Sequence, residues 1–153
     1  MSSDEVVPRL DLLLVEDNPG DVHLVQHALK RAGAEHRMAS VPDGTAALAY
    51  LRRQGQYLDS PRPDVILLDL NLPKRSGLEV LRELKSDPEL QDIPVVVLTS
   101  SDTPRDVRQS YALNANCFIT KPAELHDFLS VVRVIETFWC RTVRLPRRSS
   151  GSP

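Results

Sequence analysis

The sequence has few cysteines, no marked excess of charge of one sign and no long apolar run. Its two cysteines, Cys117 and Cys140, cannot form a disulfide framework, and we expect reduced thiols in a cytoplasmic protein. Lysine and arginine total 19 against 21 acidic residues, which argues against a nucleic-acid-binding surface spread over the molecule. No apolar run approaches the roughly 18 residues of a membrane span, and residues 1–8 lack an apolar signal core.

Length and composition indicate one folded domain. The 153 residues fit a single domain, and 41% hydrophobic with 26% charged residues excludes a disordered chain. We expect the domain to span residues 9–139, after a flexible N-terminus at 1–8. Residues 140–153 are predicted to form a C-terminal arm and a flexible tail.

Short apolar runs alternate with helical patterns along the chain. The apolar runs predict strands at 10–15, 37–41, 65–69, 94–99 and 117–120. The helical patterns cover about 19–32, ending at Gly33, and about 44–53, 77–86, 104–113 and 123–139. Continuously apolar central strands are typical of a parallel sheet covered on both faces. We therefore expect an α/β fold with an open, doubly wound, five-stranded parallel sheet of flavodoxin-like type, strand order 2-1-3-4-5.

Polar side chains follow four of the predicted strands. The first strand ends at Glu16 and Asp17, the third at Asp69, the fourth at Thr99, and Lys121 follows the fifth. Ligands of such folds bind beyond the carboxyl ends of the strands, where these side chains should meet. Crowded carboxylates without histidine or cysteine favour Mg²⁺. The simplest interpretation is that one carboxylate is phosphorylated, with Mg²⁺, the lysine and the threonine hydroxyl contacting the phosphoryl oxygens.

This ordered set, each residue at its strand end, resembles a two-component response-regulator receiver domain over residues 10–139. Further matching residues are Asn71, Pro73, Gly77, Phe118 and Pro122. The resemblance implies that Asp69 is the phospho-acceptor. It also implies that Asp17 and Asp69 bind Mg²⁺ together with the backbone carbonyl of Asn71, while Glu16 assists through a metal-bound water.

The resemblance also assigns the residues that respond to phosphorylation. Thr99 and Lys121 would sense the phosphoryl group, and Phe118 would change rotamer together with Thr99. The Lys121-Pro122 peptide bond would be cis. Asn114 stands where receivers usually have glycine; asparagine is the non-glycine residue best suited to a left-handed turn, so we expect the fold to tolerate it.

Within the receivers, the chain is similar to the small response regulators paired with bacterial phytochromes. The similar stretches are 69–77, 87–88, 93–99, 115–119 and the ending at 138–146. A phytochrome sensor histidine kinase is therefore the expected phosphoryl donor. With no DNA-binding output domain expected, the output would be a partner interaction or onward transfer to a phosphotransfer protein. We expect no enzyme activity beyond the protein's own phosphorylation and dephosphorylation.

Two other classes of protein also fit part of the pattern. A haloacid-dehalogenase-type phosphatase uses a strand-end aspartyl nucleophile, but it expects a second acid where this chain has Asn71, and a cap domain. A flavodoxin-like flavin carrier would need a phosphate-binding first loop, whereas Glu16 and Asp17 make that loop acidic. Both remain alternatives at this point.

The last predicted helix carries two adjoining apolar stripes. The first consists of Leu125, Phe128, Leu129, Val132, Ile135 and Trp139, and the second of Val131, Val134 and Phe138. Together they are wider than the face that covers one side of a sheet. We expect the second stripe to form a homodimer interface with the fourth helix and fifth strand, aided by the arm at 138–146. The alternative is that the arm folds back over the stripe within one chain.

Overall fold

The computed structural model describes residues 9–31 and 36–146. The predicted flexible N-terminus at 1–8, residues 147–153 of the predicted C-terminal arm and tail, and the predicted helix end at Gly33 lie outside these residues. The strands are β1 (Asp11–Val15), β2 (Arg37–Val41), β3 (Val65–Leu68), β4 (Val95–Thr99) and β5 (Cys117–Thr120). The helices are α1 (Pro19–Arg31), α2 (Gly44–Leu51), α3 (Gly77–Ser86), α4 (Pro104–Ala112) and α5 (Leu125–Ile135). A 3-10 turn, Gly55–Tyr57, interrupts the loop after α2, and a π-helical segment, Glu136–Thr142, follows α5.

The sheet order is β2-β1-β3-β4-β5 with every pair parallel, which confirms the predicted fold. Val15 pairs with Leu68, and Leu68 pairs with Val97, so β4 runs two residues further than β3 before it ends at Thr99, level with Thr120 of β5. Because the strands are parallel, their carboxyl ends meet at one edge of the sheet. This edge is called the carboxyl edge below, and the opposite one the amino edge.

Two apolar layers cover the sheet, which explains why its central strands are apolar without alternation. Leu13, Ile66 and Val97 face the layer formed by α2 and α3. Leu12, Leu67 and Val96, one residue along, face α1 and α5. In the part of the chain that the structure describes, no helix is both long and apolar enough to cross a membrane.

The last helix differs from its prediction at both ends. It begins at Leu125 rather than 123, and helical backbone continues beyond 139 as the π-helical segment. The amide of Val143 donates to the carbonyl of Phe138 at 3.0 Å, an i to i+5 bond typical of π geometry. The same spacing brings Arg141 onto the carboxylate of buried Glu136, and this contact favours the wider turn.

Two backbone predictions have opposite outcomes. Asn114 has a φ of 71°, which confirms the left-handed turn expected before β5. The predicted cis Lys121-Pro122 bond is wrong, because no peptide bond among the described residues is cis. The trans form is favoured for such bonds by about 0.5–1 kcal/mol, and Lys121 reaches the carboxyl edge from the trans backbone.

Candidate functional site

Three carboxylates meet at the carboxyl edge, as the strand ends predicted. Glu16 follows β1 and Asp69 follows β3, and both are buried, whereas Asp17 is exposed. One oxygen from each of the three lies within 4.8 Å of the others. The exposed member leaves this oxygen set open to solvent.

Lys121 provides the positive charge nearest to these carboxylates. Its side chain is only 8% exposed, and its Nζ donates to Glu16, to Asp21 Oδ2 at 2.8 Å and to Asp69 Oδ2 at 3.2 Å. Burial acts to lower the pKa of Lys121, but the hydrogen bonds to Asp21 and Glu16 and the charge of Asp69 outweigh it and raise that pKa. The lysine is therefore a firmly held cation, yet one positive charge faces several negative ones.

The pKa of Glu16 shows that negative charge remains in excess at this edge. Burial raises the pKa of Glu16 to about 7; the hydrogen bond from Lys121 opposes this shift, and the charge of Asp69 adds to it. The other Glu16 oxygen, Oε2, accepts from the backbone N–H of Asn18 at 3.1 Å. A further cation at this edge would stabilise the charged form of Glu16.

Both oxygens of Asp69 are held in place. Oδ1 accepts from the Thr99 hydroxyl at 2.7 Å and from the Asn71 backbone N–H at 3.1 Å, while Oδ2 accepts from Lys121. Thr99 is fully buried, so its hydroxyl reaches the carboxylate away from bulk water. The carboxylate is therefore oriented before any ligand binds.

Gly77 allows helix α3 to begin directly against the end of β3. A Cβ at this position would lie 2.3 Å from the carbonyl oxygen of Asp69, so any larger residue would push the loop away. The Gly77 N–H donates to the carbonyl of Leu70 at 3.0 Å. Ser76 caps the helix in a reciprocal capping box with Glu79, which fixes the far end of the loop.

Most of the predicted site residues come together in the structure. They are Glu16, Asp17, Asp69, Asn71, Thr99 and Lys121. Phe118 lies apart from them, packed partly buried against the core cluster that contains Val97, and its N–H donates to the Tyr111 hydroxyl at 3.2 Å.

Sequence reasoning missed Asp21 as a contact of the lysine. The helix predicted at about 19–32 includes Asp21 in its first turn, where an acid is favourable in any protein. Helix α1 begins three residues after Glu16, so its first turn lies at the carboxyl edge, and that closeness was the available signal.

The chemistry of the donor set fits a divalent cation. The three carboxylates supply hard oxygen ligands with no histidine or cysteine among them, which is the set that Mg²⁺ and Mn²⁺ prefer. Two of the three carboxylates are already oriented by hydrogen bonds.

Comparison with known proteins agrees with this geometry. The model of the response regulator receiver domain family matches residues 12–133. The chain belongs to this family. The receiver domain is 51% identical over 144 residues to the response regulator Rcp1 of Synechocystis sp., covering 94% of this chain and 98% of Rcp1.

Two solved structures extend the comparison. The phosphorylated cyanobacterial phytochrome response regulator RcpA is 49% identical, with a TM-score of 0.89 over 92% of this chain and 100% of that one. The Mn²⁺-bound form of Rcp1 is 51% identical, with a TM-score of 0.87 over 90% and 99% of the two chains. The protein is thus a response regulator related to those of phytochrome signalling, and neither the phosphatase nor the flavin-carrier alternative is supported.

Proposed function

We propose that this response regulator accepts a phosphoryl group on Asp69 from the phosphohistidine of a sensor histidine kinase. The observation that supports Asp69 above the other acids is that both its oxygens are oriented, by Thr99, Asn71 and Lys121. A carboxylate oxygen attacks phosphorus, the phosphorus–nitrogen bond breaks, and its electron pair leaves with the imidazole. The Lys121 ammonium then balances charge on the phosphoryl oxygens.

The ion that we propose for the site is Mg²⁺. Asp17, Asp69 and the backbone carbonyl of Asn71 would hold it, and Glu16 would act through a bound water. Such a cation supplies charge neutralisation for the phosphoryl oxygens. The oxygen-only donor set and the Mn²⁺-bound structure of the relative Rcp1 support a divalent ion here.

We propose that Thr99 and Phe118 convert phosphorylation into a change of shape. The Thr99 hydroxyl now donates to Asp69, and a phosphoryl oxygen would take over that hydrogen bond. Phe118 lies on the neighbouring strand β5, bonded through its N–H to Tyr111 of α4. Movement of Thr99 would let Phe118 change rotamer, which would carry the signal to the surface of α4, β5 and α5.

Incubation with acetyl phosphate and Mg²⁺, followed by intact mass measurement, tests the phospho-acceptor. The wild type should gain the mass of one phosphoryl group, and Asp69→Asn should not. Asp59→Asn, which changes an exposed acid in the loop before β3, is the matched control and should be phosphorylated like the wild type. An adduct that persists in Asp69→Asn, or turnover of many phosphate esters, would contradict the proposal.

We propose that the phosphoryl donor is a phytochrome kinase and that the protein acts in the cytoplasm. The likeness to RcpA and the two free cysteines support this setting. Phosphotransfer from a panel of purified kinases should be fastest from a phytochrome. Onward transfer to a histidine phosphotransfer protein is a proposed output, and we expect no activity on a separate substrate.

We also propose a homodimer through the second apolar stripe of the last helix. Val134 is 63% exposed and Phe138 47% exposed, while Val131 is partly buried. A groove of about 560 Å³ lies beside them, lined mainly by Cys117, Ile119, Val134, Phe138, Trp139 and Val143. The described part of the C-terminal arm leaves this stripe open, which favours a second copy as its cover over the arm of the same chain.

Sedimentation velocity at micromolar concentration tests the dimer. The wild type should sediment as a dimer and Val134→Glu as a monomer, because a buried unpaired carboxylate opposes association. Leu58→Glu introduces the same charge at an exposed leucine in the loop before β3 and should stay dimeric. A monomeric wild type would contradict the proposal.

A further inference from the structure

Lys121 has a third carboxylate partner that belongs to neither the predicted metal ligands nor the phospho-acceptor. Asp21 Oδ2 accepts from Lys121 Nζ at 2.8 Å, a shorter contact than the 3.2 Å to Asp69 Oδ2. Asp21 lies in the first turn of α1, and its N–H donates to the side chain of Asn18 at 3.1 Å. The Asn18 side chain therefore fixes the backbone of the turn from which the Asp21 carboxylate reaches the lysine.

The other two carboxylate partners of Lys121 would also take part in binding the cation. Glu16 and Asp69 both contribute to the oxygen set that would hold a divalent cation, whereas Asp21 lies outside that set. When a cation binds, the ammonium must give up part of its contact with Glu16 and Asp69, since like charges repel. Asp21 offers a contact that the ammonium can keep.

We propose that Asp21 is a positioning residue for the phosphorylation site. It anchors Lys121 on the outer side of the carboxylate set. The lysine can then release its contacts with Glu16 and Asp69 when the cation binds and still lie within reach of the phosphoryl group. This inference rests on the proposed function, because it assumes that the cation and the phosphoryl group bind at these carboxylates.

Removal of the Asp21 charge has a defined consequence. In Asp21→Asn, Lys121 would keep only Glu16 and Asp69 as carboxylate partners. Its ammonium would then compete more strongly with Mg²⁺ for their oxygens. A charge that merely attracts the cation through solvent would also weaken binding when it is lost, but it would do so whether or not the lysine is present. The two explanations are therefore separable by removing Lys121.

Isothermal titration of Mg²⁺ into the metal-free protein, in a double-mutant cycle, makes this separation. Asp21→Asn should weaken Mg²⁺ binding about fivefold in the Lys121 background, and by less than about twofold in the Lys121→Met background. Asp21→Glu keeps the charge and should remain within about twofold of the wild type. Equal weakening in both backgrounds, no weakening in either, or a glutamate variant as weak as the asparagine variant would overturn the inference.

Two controls complete the experiment. Asp127→Asn removes the first-turn acid of α5, the helix that follows Lys121, and should leave Mg²⁺ binding unchanged. Thermal unfolding shows that each variant is folded, and Asp21→Ala replaces the asparagine variant if that one is not. The same wild-type sample is treated with acetyl phosphate: a missing adduct contradicts the proposed function, whereas a normal adduct with no coupling between Asp21 and Lys121 contradicts this inference alone.

Discussion

Two buried clusters of charged side chains lie at opposite edges of the sheet. At the carboxyl edge, Lys121 faces Glu16, Asp69 and the more exposed Asp21. The cluster at the amino edge is centred on Glu136, whose carboxylate binds the His36 ring at 3.0 Å and the Arg141 guanidinium at 2.8 and 3.0 Å. The first cluster has more acids than bases and adjoins exposed Asp17; in the second, the acid and the ring are almost completely buried.

The amino-edge cluster contains residues that could bind a metal, but its hydrogen bonds argue against it. Atoms of His36, Glu136 and Cys140 lie within 4.8 Å of one another. However, His36 Nδ1 accepts from the N–H of Leu10 at 3.2 Å, so the neutral ring carries its proton on Nε2 and donates it to Glu136. A metal would need the lone pair at that nitrogen and would face the Arg141 guanidinium.

The difference between the clusters lies in charge balance and access rather than in residue type. Where acids outnumber bases and one of them is exposed, a divalent cation could balance the excess negative charge. Where a buried acid is shared by two donors, the same kinds of residue connect the segment after α5 to the sheet. We therefore expect mutations at the amino edge to lower the stability of the fold and mutations at the carboxyl edge to impair phosphorylation.

Glu136→Ala should have the largest effect on stability. It leaves the buried ring N–H of His36 and the Arg141 guanidinium without this partner, so the free energy of unfolding should fall by about 3 kcal/mol. Urea denaturation measures the loss, and acetyl phosphate labelling should proceed at a rate within about twofold of the wild type at a temperature where the variant is folded. Glu124→Ala, at an exposed glutamate before α5, is the matched control and should change stability by less than about 0.5 kcal/mol.

Asp69→Asn should show the reverse pattern, with phosphorylation lost and stability almost kept. Removal of one negative charge relieves repulsion with Glu16, while Lys121 retains Glu16 and Asp21 as partners. The free energy of unfolding of the metal-free protein should change by less than about 1 kcal/mol in urea denaturation. A loss as large as that of Glu136→Ala would show that the carboxyl edge is also a structural cluster.

The smallest expected effect is a difference in thiol reactivity. Burial raises the pKa of Cys140 to about 12, the charge of Glu136 adds to the shift, and Arg141 opposes it. Burial also raises the pKa of Cys117, which is less deeply buried. Since the thiolate is the reactive form, iodoacetamide at pH 8 should modify Cys140 about tenfold more slowly than Cys117, as followed by peptide mass spectrometry. Equal rates would show that the amino-edge cluster is accessible to solvent.

The strand ends explain why the carboxyl-edge site could be predicted from the sequence. Asp69 follows four buried apolar residues, and a parallel sheet brings all such ends to one edge. The helix caps at Ser76 and Thr103 are also local, because each side chain accepts a bond from an amide three residues further along the chain. Patterns of this kind depend on residues a few positions apart, so periodicity and turn chemistry are enough to find them.

The missed features depend on contacts between distant residues. His36 and Glu136 meet across 100 positions of sequence, as do Lys121 and Asp21, and no local pattern indicates either pair. The π-helical segment also escaped prediction. An α-helical periodicity at 123–139 does not reveal that Glu136 is buried and holds Arg141 five residues on.

By itself, the sequence determined the order of elements, the doubly wound parallel sheet and the group of acids, hydroxyl and lysine at its carboxyl edge. These follow from apolar periods and strand ends, which are set by neighbouring residues. Only the tertiary structure decided which acids share Lys121, how the last helix continues, and which charged cluster is sealed. Those outcomes depend on burial and on the hydrogen-bond partners that folding brings together from distant parts of the chain.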